Sequence, residues 1–373
     1  MKKLLSGLFT VLFLTLICAC GSDGKSDVPD VPTERTVLVY MVANNNLNYF
    51  ATLDLDEMKE AAGSLPENVR WLVYYAPQNA APVLQELKKN GMWKTLKTYP
   101  VTGSSVSLSR ITEVLADSRS AAPAIKNGII LWSHASGWLQ NGMSEPGLST
   151  MSFGDDGGRY CNITTLRAAL EQNKFEFIYA DCCNFSSVEI AYELRDCADR
   201  FASSATRMPA EGMPYNLTLS HIAKGDIVLA AKTTIDFYRK KGGDNPFCTL
   251  SVINLTMMEE LAMETKKAYT ASTYPEGYQP APQDMEKCYF FDLRHFIEAL
   301  APENISEWND VFNKAVIYSD NLPYLAETDR LLAAHSGLTT YILNSSNHST
   351  DKGYHQLEWY TDVARFQPTD KQE

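Results

Sequence analysis

Phe175-Glu-Phe-Ile-Tyr-Ala-Asp-Cys-Cys-Asn184 is the stretch on which the fold turns. It opens with large apolar side chains, the pattern of a short buried strand, and closes abruptly on polar residues. About fifty residues earlier, Ile129-Ile-Leu-Trp-Ser-His-Ala-Ser-Gly-Trp138 has the same layout. One run ends on a cysteine and the other on a histidine. A thiol and an imidazole at neighbouring strand ends are the minimal parts of a cysteine nucleophile and its base.

Working outward, Thr36–Val42 and Trp71–Tyr75 read as further strands, beside Ile129–Trp132 and Phe175–Tyr179. Between them, Leu53–Ala62, Ser109–Leu115, Ile163–Leu170 and Ser186–Leu194 carry helical spacing. Strands alternating with helices predict an α/β fold with a mainly parallel sheet. In such sheets functional groups collect beyond the carboxyl ends of the strands, where His134 and Cys183 both fall. After residue 200 the alternation is less regular. Phe201–Ser204, Thr249–Asn254 and Leu338–Leu343 read as strands. Asp226–Lys240, Met257–Tyr269, Phe290–Leu300 and Trp308–Tyr318 read as helices, and Ser272–Asp284 as a Pro/Gly/Tyr-rich loop. No Pro/Ser linker interrupts the chain, so residues 35–373 are expected to form one domain, with a C-terminal subdomain from about residue 225.

The formal net charge is −12. That argues against a nucleic-acid partner and gives no electrostatic pull toward anionic lipid. The N-terminus reads as a processing segment. Lys2 and Lys3 precede the apolar Leu4–Ile17, which is shorter than a membrane span, and Ile17-Cys-Ala-Cys20 fits a bacterial lipobox. Residues 1–19 are therefore expected to be a lipoprotein signal peptide, Cys20 the lipid-bearing residue and residues 20–34 a flexible tether. This places the domain in the cell envelope, held at a membrane through its lipid only. Of the other cysteines, Cys161, Cys182, Cys183, Cys197, Cys248 and Cys288, a catalytic thiol would leave an odd number, so a disulfide scaffold is not expected.

A thiol attacks as thiolate and needs a base or a positive environment. Cys183, just ahead of a helix expected near Ser186, would gain from that helix's N-terminus. Cys182 points the opposite way if the strand runs through it, toward packing beneath the sheet. The loop Ala135-Ser-Gly137 and the nucleophile's own N–H are candidate donors to a tetrahedral oxyanion. Ser136 lacks the glycines of a serine-hydrolase elbow. His221, His295, His335, His348 and His355 are read as structural or surface residues. A zinc site built from His134, Cys161, Cys182 and Cys183 is disfavoured, because adjacent cysteines ligate one ion poorly and no Cys-x-x-Cys is present.

At these residues the chain resembles the clostripain family, caspase-like cysteine peptidases of bacteria. The family pattern is an apolar strand leading into His-Gly-x-Gly-Trp, then a strand leading into Asp-x-Cys-x-Met with a Glu six residues after the Cys. Here they read His134-Ala-Ser-Gly-Trp138 and Asp181-Cys-Cys183-Asn-Phe185 followed by Glu189, a spacing that selects Cys183 over Cys182. Val39–Leu47, Phe153–Asp156, Ser204–Tyr215, Leu250–Asn254 and Phe291–Leu293 extend the resemblance over most of residues 35 to 345. It departs at Ala135, where the family has Gly, and at Met213, where it has Trp. Arg207 also lies close to the acidic subsite.

The resemblance implies a caspase-like three-layer αβα fold. It also implies an endopeptidase acting on peptides or proteins after Arg or Lys, with Cys183 as nucleophile and His134 as base. The S1 carboxylates it implies are Asp181 and, in Pro209-Ala-Glu-Gly-Met213, Glu211. Some members mature by cleavage between the His and Cys motifs, for which Arg159 is the accessible basic residue. The family includes calcium-dependent enzymes, to which Asp155-Asp156 could contribute, but no EF-hand type of loop is present. No metal or other cofactor is expected. The alternative from another class is a catalytically inactive peptidase-like lipoprotein that serves as a binding module.

Overall fold

The computed structural model describes residues 33–139, 152–278, 280, 282–283, 289–301, 305–326, 328–343 and 353–369. The signal segment, Cys20, most of the tether, Cys288 and His348 lie outside the described residues.

Five strands build the parallel heart of the sheet: β1 (Arg35–Ala43), β2 (Val69–Pro77), β5 (Lys126–Trp132), β6 (Phe175–Asp181) and β7 (Ala198–Ser203). Antiparallel strands extend both edges. β3 (Val83–Leu87) and β4 (Trp93–Thr98) continue from β2, and β8 (Thr249–Asn254) and β10 (Val316–Asn321) continue from β7. The order is β10-β8-β7-β6-β5-β1-β2-β3-β4. Successive residues of each strand face opposite sides. Leu38, Tyr40 and Val42 of β1 join one buried cluster, and Val37, Val39 and Met41 join the other. Both faces are covered, which explains why the central strands read as near-continuous apolar runs.

The first face packs against α2 (Leu108–Ala121), α3 (Ile163–Leu170), α4 (Val188–Glu193), α7 (Met258–Ala271), α8 (Leu293–Leu300) and α9 (Ser306–Ala315). The second packs against α1 (Asn48–Ala61), α5 (Tyr215–Ala223) and α6 (Ile227–Lys241). This is the three-layer αβα arrangement. Side-chain caps begin several helices: Ser107 accepts from Arg110 N–H at α2, Ser187 from Ile190 N–H at α4, and Asp226 from Leu229 N–H at α6.

The described residues belong to one compact unit. The stretch after about residue 225 contributes β8 and β10 to the main sheet and helices to both faces. β3, β4 and α5 are not among the expected elements, and three further details differ. The helix read over Trp308–Tyr318 stops at Ala315, and Val316–Asn321 forms an edge strand instead. Its β-branched and aromatic start suits a strand once β8 is there to pair with. The helix read from Phe290 begins at Leu293, because Phe291–Asp292 (β9) pairs with Thr339–Thr340 (β11) in a separate two-stranded sheet. The strand read over Leu338–Leu343 is confined to those two residues of β11.

The end of the chain is tied back to α4, the helix that follows Cys183. Glu189 of α4 is buried, and its Oε1 accepts from Thr340 Oγ1 at 3.0 Å, Tyr341 N–H at 2.9 Å and Tyr354 O–H at 2.9 Å. The rings of Tyr341 and Tyr354 pack on Trp138, with centroids 4.9 and 4.8 Å away.

Candidate active site

The adjacent strands β6 and β5 end at the same level, where Asp181 and Trp132 share one rung with Met41 of β1. Two residues beyond that rung, past the strand ends, lie His134 after β5 and Cys183 after β6. The order of strands reverses here: the chain moves from β1 outward to β2, then returns to place β5 on the other side of β1. A reversal of this kind opens a crevice at the carboxyl ends. The loops after β5 and β6 touch. Gly137 has φ +67°, and a Cβ there would lie 2.5 Å from the Asn184 carbonyl oxygen and 2.8 Å from the Phe290 ring. Only glycine fits that approach. His134, Cys183, Asp181 and Asn46 all line one cleft of about 560 Å³.

Strand alternation separates the two cysteines. Cys182 is buried in the first-face cluster, where burial pushes its thiol well above the ordinary range. Cys183 is half-buried and packs toward the second face. Met208 N–H points at its sulfur at 3.4 Å. A donor aimed at sulfur favours the thiolate. The expected help from a helix N-terminus needs correction: α4 starts only at Val188, is six residues long, and has one of its first N–H groups taken by Ser187. The donor that reaches the sulfur comes from the loop after β7.

His134 is held from both sides. Its carbonyl oxygen accepts from Gly154 N–H at 2.9 Å, and its Nε2 lies 2.5 Å from Asn46 Oδ1. An amide oxygen only accepts, so Nε2 carries the ring proton and Nδ1 keeps its lone pair. Burial lowers the pKa of His134, with Asp155 opposing, so the ring is neutral at neutral pH.

Asn46 ends a run of three asparagines that follows β1. Each of those asparagines has its own task. Asn44 Nδ2 donates to Asp156 Oδ1 at 2.9 Å. Asn45 Nδ2 donates to the carbonyls of Val42 and Asp155, while its Oδ1 accepts from Leu47 N–H. Asn46 faces the imidazole. Three consecutive asparagines after a strand were the available signal. Asp156 is committed to this clamp, since its other oxygen accepts from Ser104 Oγ and Ser105 N–H. Among the described residues no group of three or more His, Cys, Asp and Glu side chains could hold a metal ion.

Asp181 is buried beside the cleft. Both its oxygens lie 3.2 Å from Met213 N–H, and Tyr215 O–H donates to Oδ2 at 3.1 Å. Burial raises its pKa to about 6. Gly212 passes directly over it: φ is +61°, and a Cβ would sit 3.0 Å from each carboxylate oxygen. Asp54 of α1 stands behind, bonded to Trp132 Nε1 at 2.7 Å, with a pKa raised to about 9 by burial and by Asp181. Glu57, one turn on, accepts from Tyr215 N–H at 2.8 Å.

Glu211 does not join Asp181. Its side chain is 47% exposed and pairs with Lys241 Nζ at 2.6 Å. Burial pushes its pKa up, but the Lys241 bond carries it below the ordinary carboxylate value. It lines an adjoining hollow, not the cleft that holds His134 and Cys183. Arg207 lines that cleft, while Met213 is buried beneath it. Arg159 is exposed but sits in a closed turn, with its carbonyl oxygen accepting from Asp156 N–H at 2.9 Å and Phe153 bridged to Cys161 beyond. Cleavage there would require the turn to open. His221, His295, His335 and His355 do not line the cleft.

The model of the clostripain family matches residues 39–367 of this chain. A search of the curated proteins finds no match. Among solved structures, a secreted C11 cysteine protease from Bacteroides thetaiotaomicron, bound to an irreversible peptide inhibitor, is 27% identical with a TM-score of 0.78. That match covers 88% of this chain and 98% of the other. An inactive zymogen C11 protease from Parabacteroides distasonis is 26% identical with a TM-score of 0.77, covering 90% and 99%. A second secreted C11 protease structure from B. thetaiotaomicron, "iotapain", is 24% identical with a TM-score of 0.79, covering 89% and 99%, and supports the fold alone. With a cysteine and a neutral imidazole each two residues past adjacent strand ends, lining one cleft, and a family match over residues 39–367, this chain belongs to the clostripain family of cysteine peptidases.

Proposed function

We propose that the chain is a lipid-anchored endopeptidase that cuts after Arg or Lys, with Cys183 as nucleophile and His134 as its base. The observation that carries this reading is the common rung: both residues lie two positions beyond it, after adjacent parallel strands, and line one cleft. In the proposed cycle, His134 Nδ1 takes the thiol proton and the thiolate attacks the scissile carbonyl carbon. The tetrahedral oxyanion is met by backbone N–H groups of the 135–137 loop and of Cys183. Collapse breaks the C–N bond, and the imidazolium returns the proton to the leaving amine. Water, deprotonated by the same imidazole, then hydrolyses the thioester. Asn46 orients the ring.

Asp181 is the group we assign to a basic P1 side chain. Its bonded partners, an N–H and a phenol, are neutral, and the Glu57 carboxylate adds negative potential beside it, while Asp54, raised to about 9, holds a proton near neutral pH. A guanidinium or ammonium would balance that charge and bond to it directly. The tether-free domain should cleave reporter peptides with Arg or Lys at P1, and Cys183→Ala should not. Turnover persisting in the variant, or absent from both with no thiol-reactive labelling at Cys183, refutes the assignment. The anchor at Cys20 is tested by metabolic labelling with a fatty acid: label retained in Cys20→Ser excludes it.

A further inference from the structure

Beyond the cleft, on the far side of the turn closed by Gly212 N–H to Pro209 C=O at 2.9 Å, lies a second hollow of about 460 Å³. Its walls and floor are apolar: Phe50 and Phe247 are half-buried, and Tyr238 and Leu322 are buried. The Glu211–Lys241 ion pair runs along its edge, with Lys241 Nζ 5.7 Å from the Tyr238 ring centre. Gly242 and Gly243 form an open lip, where an added Cβ would meet nothing within 4 Å.

The two hollows adjoin, with Phe50, Pro209 and Ala210 in the walls of both. They are also mechanically joined. Tyr238 in the floor of the second donates its hydroxyl to Gly212 C=O at 2.6 Å, and Gly212 is the residue that covers Asp181 in the first. A peptide laid in the cleft with its P1 side chain at Asp181 would run past the wall that both hollows share.

We propose that this hollow is a second substrate subsite, one that takes a large apolar or aromatic side chain of the peptide, with the Glu211–Lys241 pair as its rim. The proposal rests on the peptidase reading above but moves Glu211 out of P1 recognition. The Glu211–Lys241 pair is neutral in sum, and exposed Asp244, next to the glycine lip, is the one further charge among the lining residues. The aromatic walls offer contact area that is gained only by a large apolar group.

The test is a positional library of fluorogenic peptides with Arg fixed at P1 and each flanking position varied. One flanking position should prefer Phe, Tyr or Leu over Ala or Asp by roughly ten- to a hundredfold in kcat/KM, the range of an apolar pocket. Phe247→Ala should reduce that preference at least about fivefold while leaving Arg-over-Ala selectivity at P1 intact. Glu211→Gln should also leave P1 selectivity within about twofold, as expected for a solvent-exposed pair. The proposal fails if no flanking position discriminates, if a normally melting Phe247→Ala keeps the full preference, or if Glu211→Gln erases P1 selectivity. Fluorescence anisotropy of the same peptides on Cys183→Ala reads the hollow without turnover. Aromatic preference in binding with no turnover in the native chain refutes the catalytic reading and keeps the subsite. Turnover without that preference does the reverse.

Discussion

Asp181 and Glu211 flank one short turn and live in opposite worlds. Asp181 is buried, bonded to neutral donors and raised to about pKa 6 by loss of solvent. Glu211, 47% exposed, is lowered by the Lys241 ammonium it holds. A sequence motif treats the two as equivalent acids. The structure shows that one already has a cation and the other has only dipoles. A buried carboxylate in the second state gains most from a cationic ligand, because the attraction acts with little solvent screening.

The largest effect should come from testing that contrast directly. Asp181→Asn should lower kcat/KM on Arg-P1 peptides by roughly a hundredfold or more, as expected when a desolvated charge pair is lost. A comparable loss in Glu211→Gln would break the contrast. Next, Asn46→Ala should lower kcat about tenfold, the worth of one hydrogen bond, with KM unchanged, since it reaches the imidazole and neither carboxylate. A change confined to KM would show that Asn46 serves substrate and not His134.

Acidity offers a subtler probe. As pH falls through about 6, Asp181 gains a proton and loses its hold on a cation, so KM for Arg-P1 peptides should rise by several-fold. Glu211→Gln should keep this dependence and Asp181→Asn should flatten it. The smallest effect is on stability. Asp54 titrates near 9 when folded against 3.8 as its ordinary value, so the folded state binds more protons across that window. Its contribution therefore disfavours folding progressively as pH rises from about 4 toward 9. Asp54→Asn keeps an acceptor for Trp132 and should raise Tm at pH 8 by roughly 2–5 °C, and by less at pH 5. An equal gain at both pH values would mean that Asp54 is ionised in the fold.

Much of this architecture could be read from the sequence because β1, β2, β5 and β6 are covered on both faces and so become apolar runs. Period-two alternation also sent Cys182 into the core, as its neighbour's role required. The edge strands β3, β4 and β10 were less legible. They are partly polar and acquire their conformation from a neighbour, as with Val316–Asn321 against β8. The fate of Glu211 was also hidden: it depends on a turn whose course follows from φ +61° at Gly212, and on a lysine thirty residues further on. Asn46 depended on a loop folding back toward β5, which no local pattern announces.

Glu189 gives the molecule an unexpected indivisibility. The carboxylate six residues past Cys183 is solvated, in effect, by Thr340, Tyr341 and Tyr354, more than a hundred and fifty residues away in the chain. A shortened gene product ending after β8 or β10 would contain every residue assigned to chemistry, yet it would strand this acid in an apolar interior, at a cost of several kcal/mol. The minimal catalyst is thus set by the solvation of one carboxylate, and trimming from the C-terminus should abolish folding well before it removes a catalytic group.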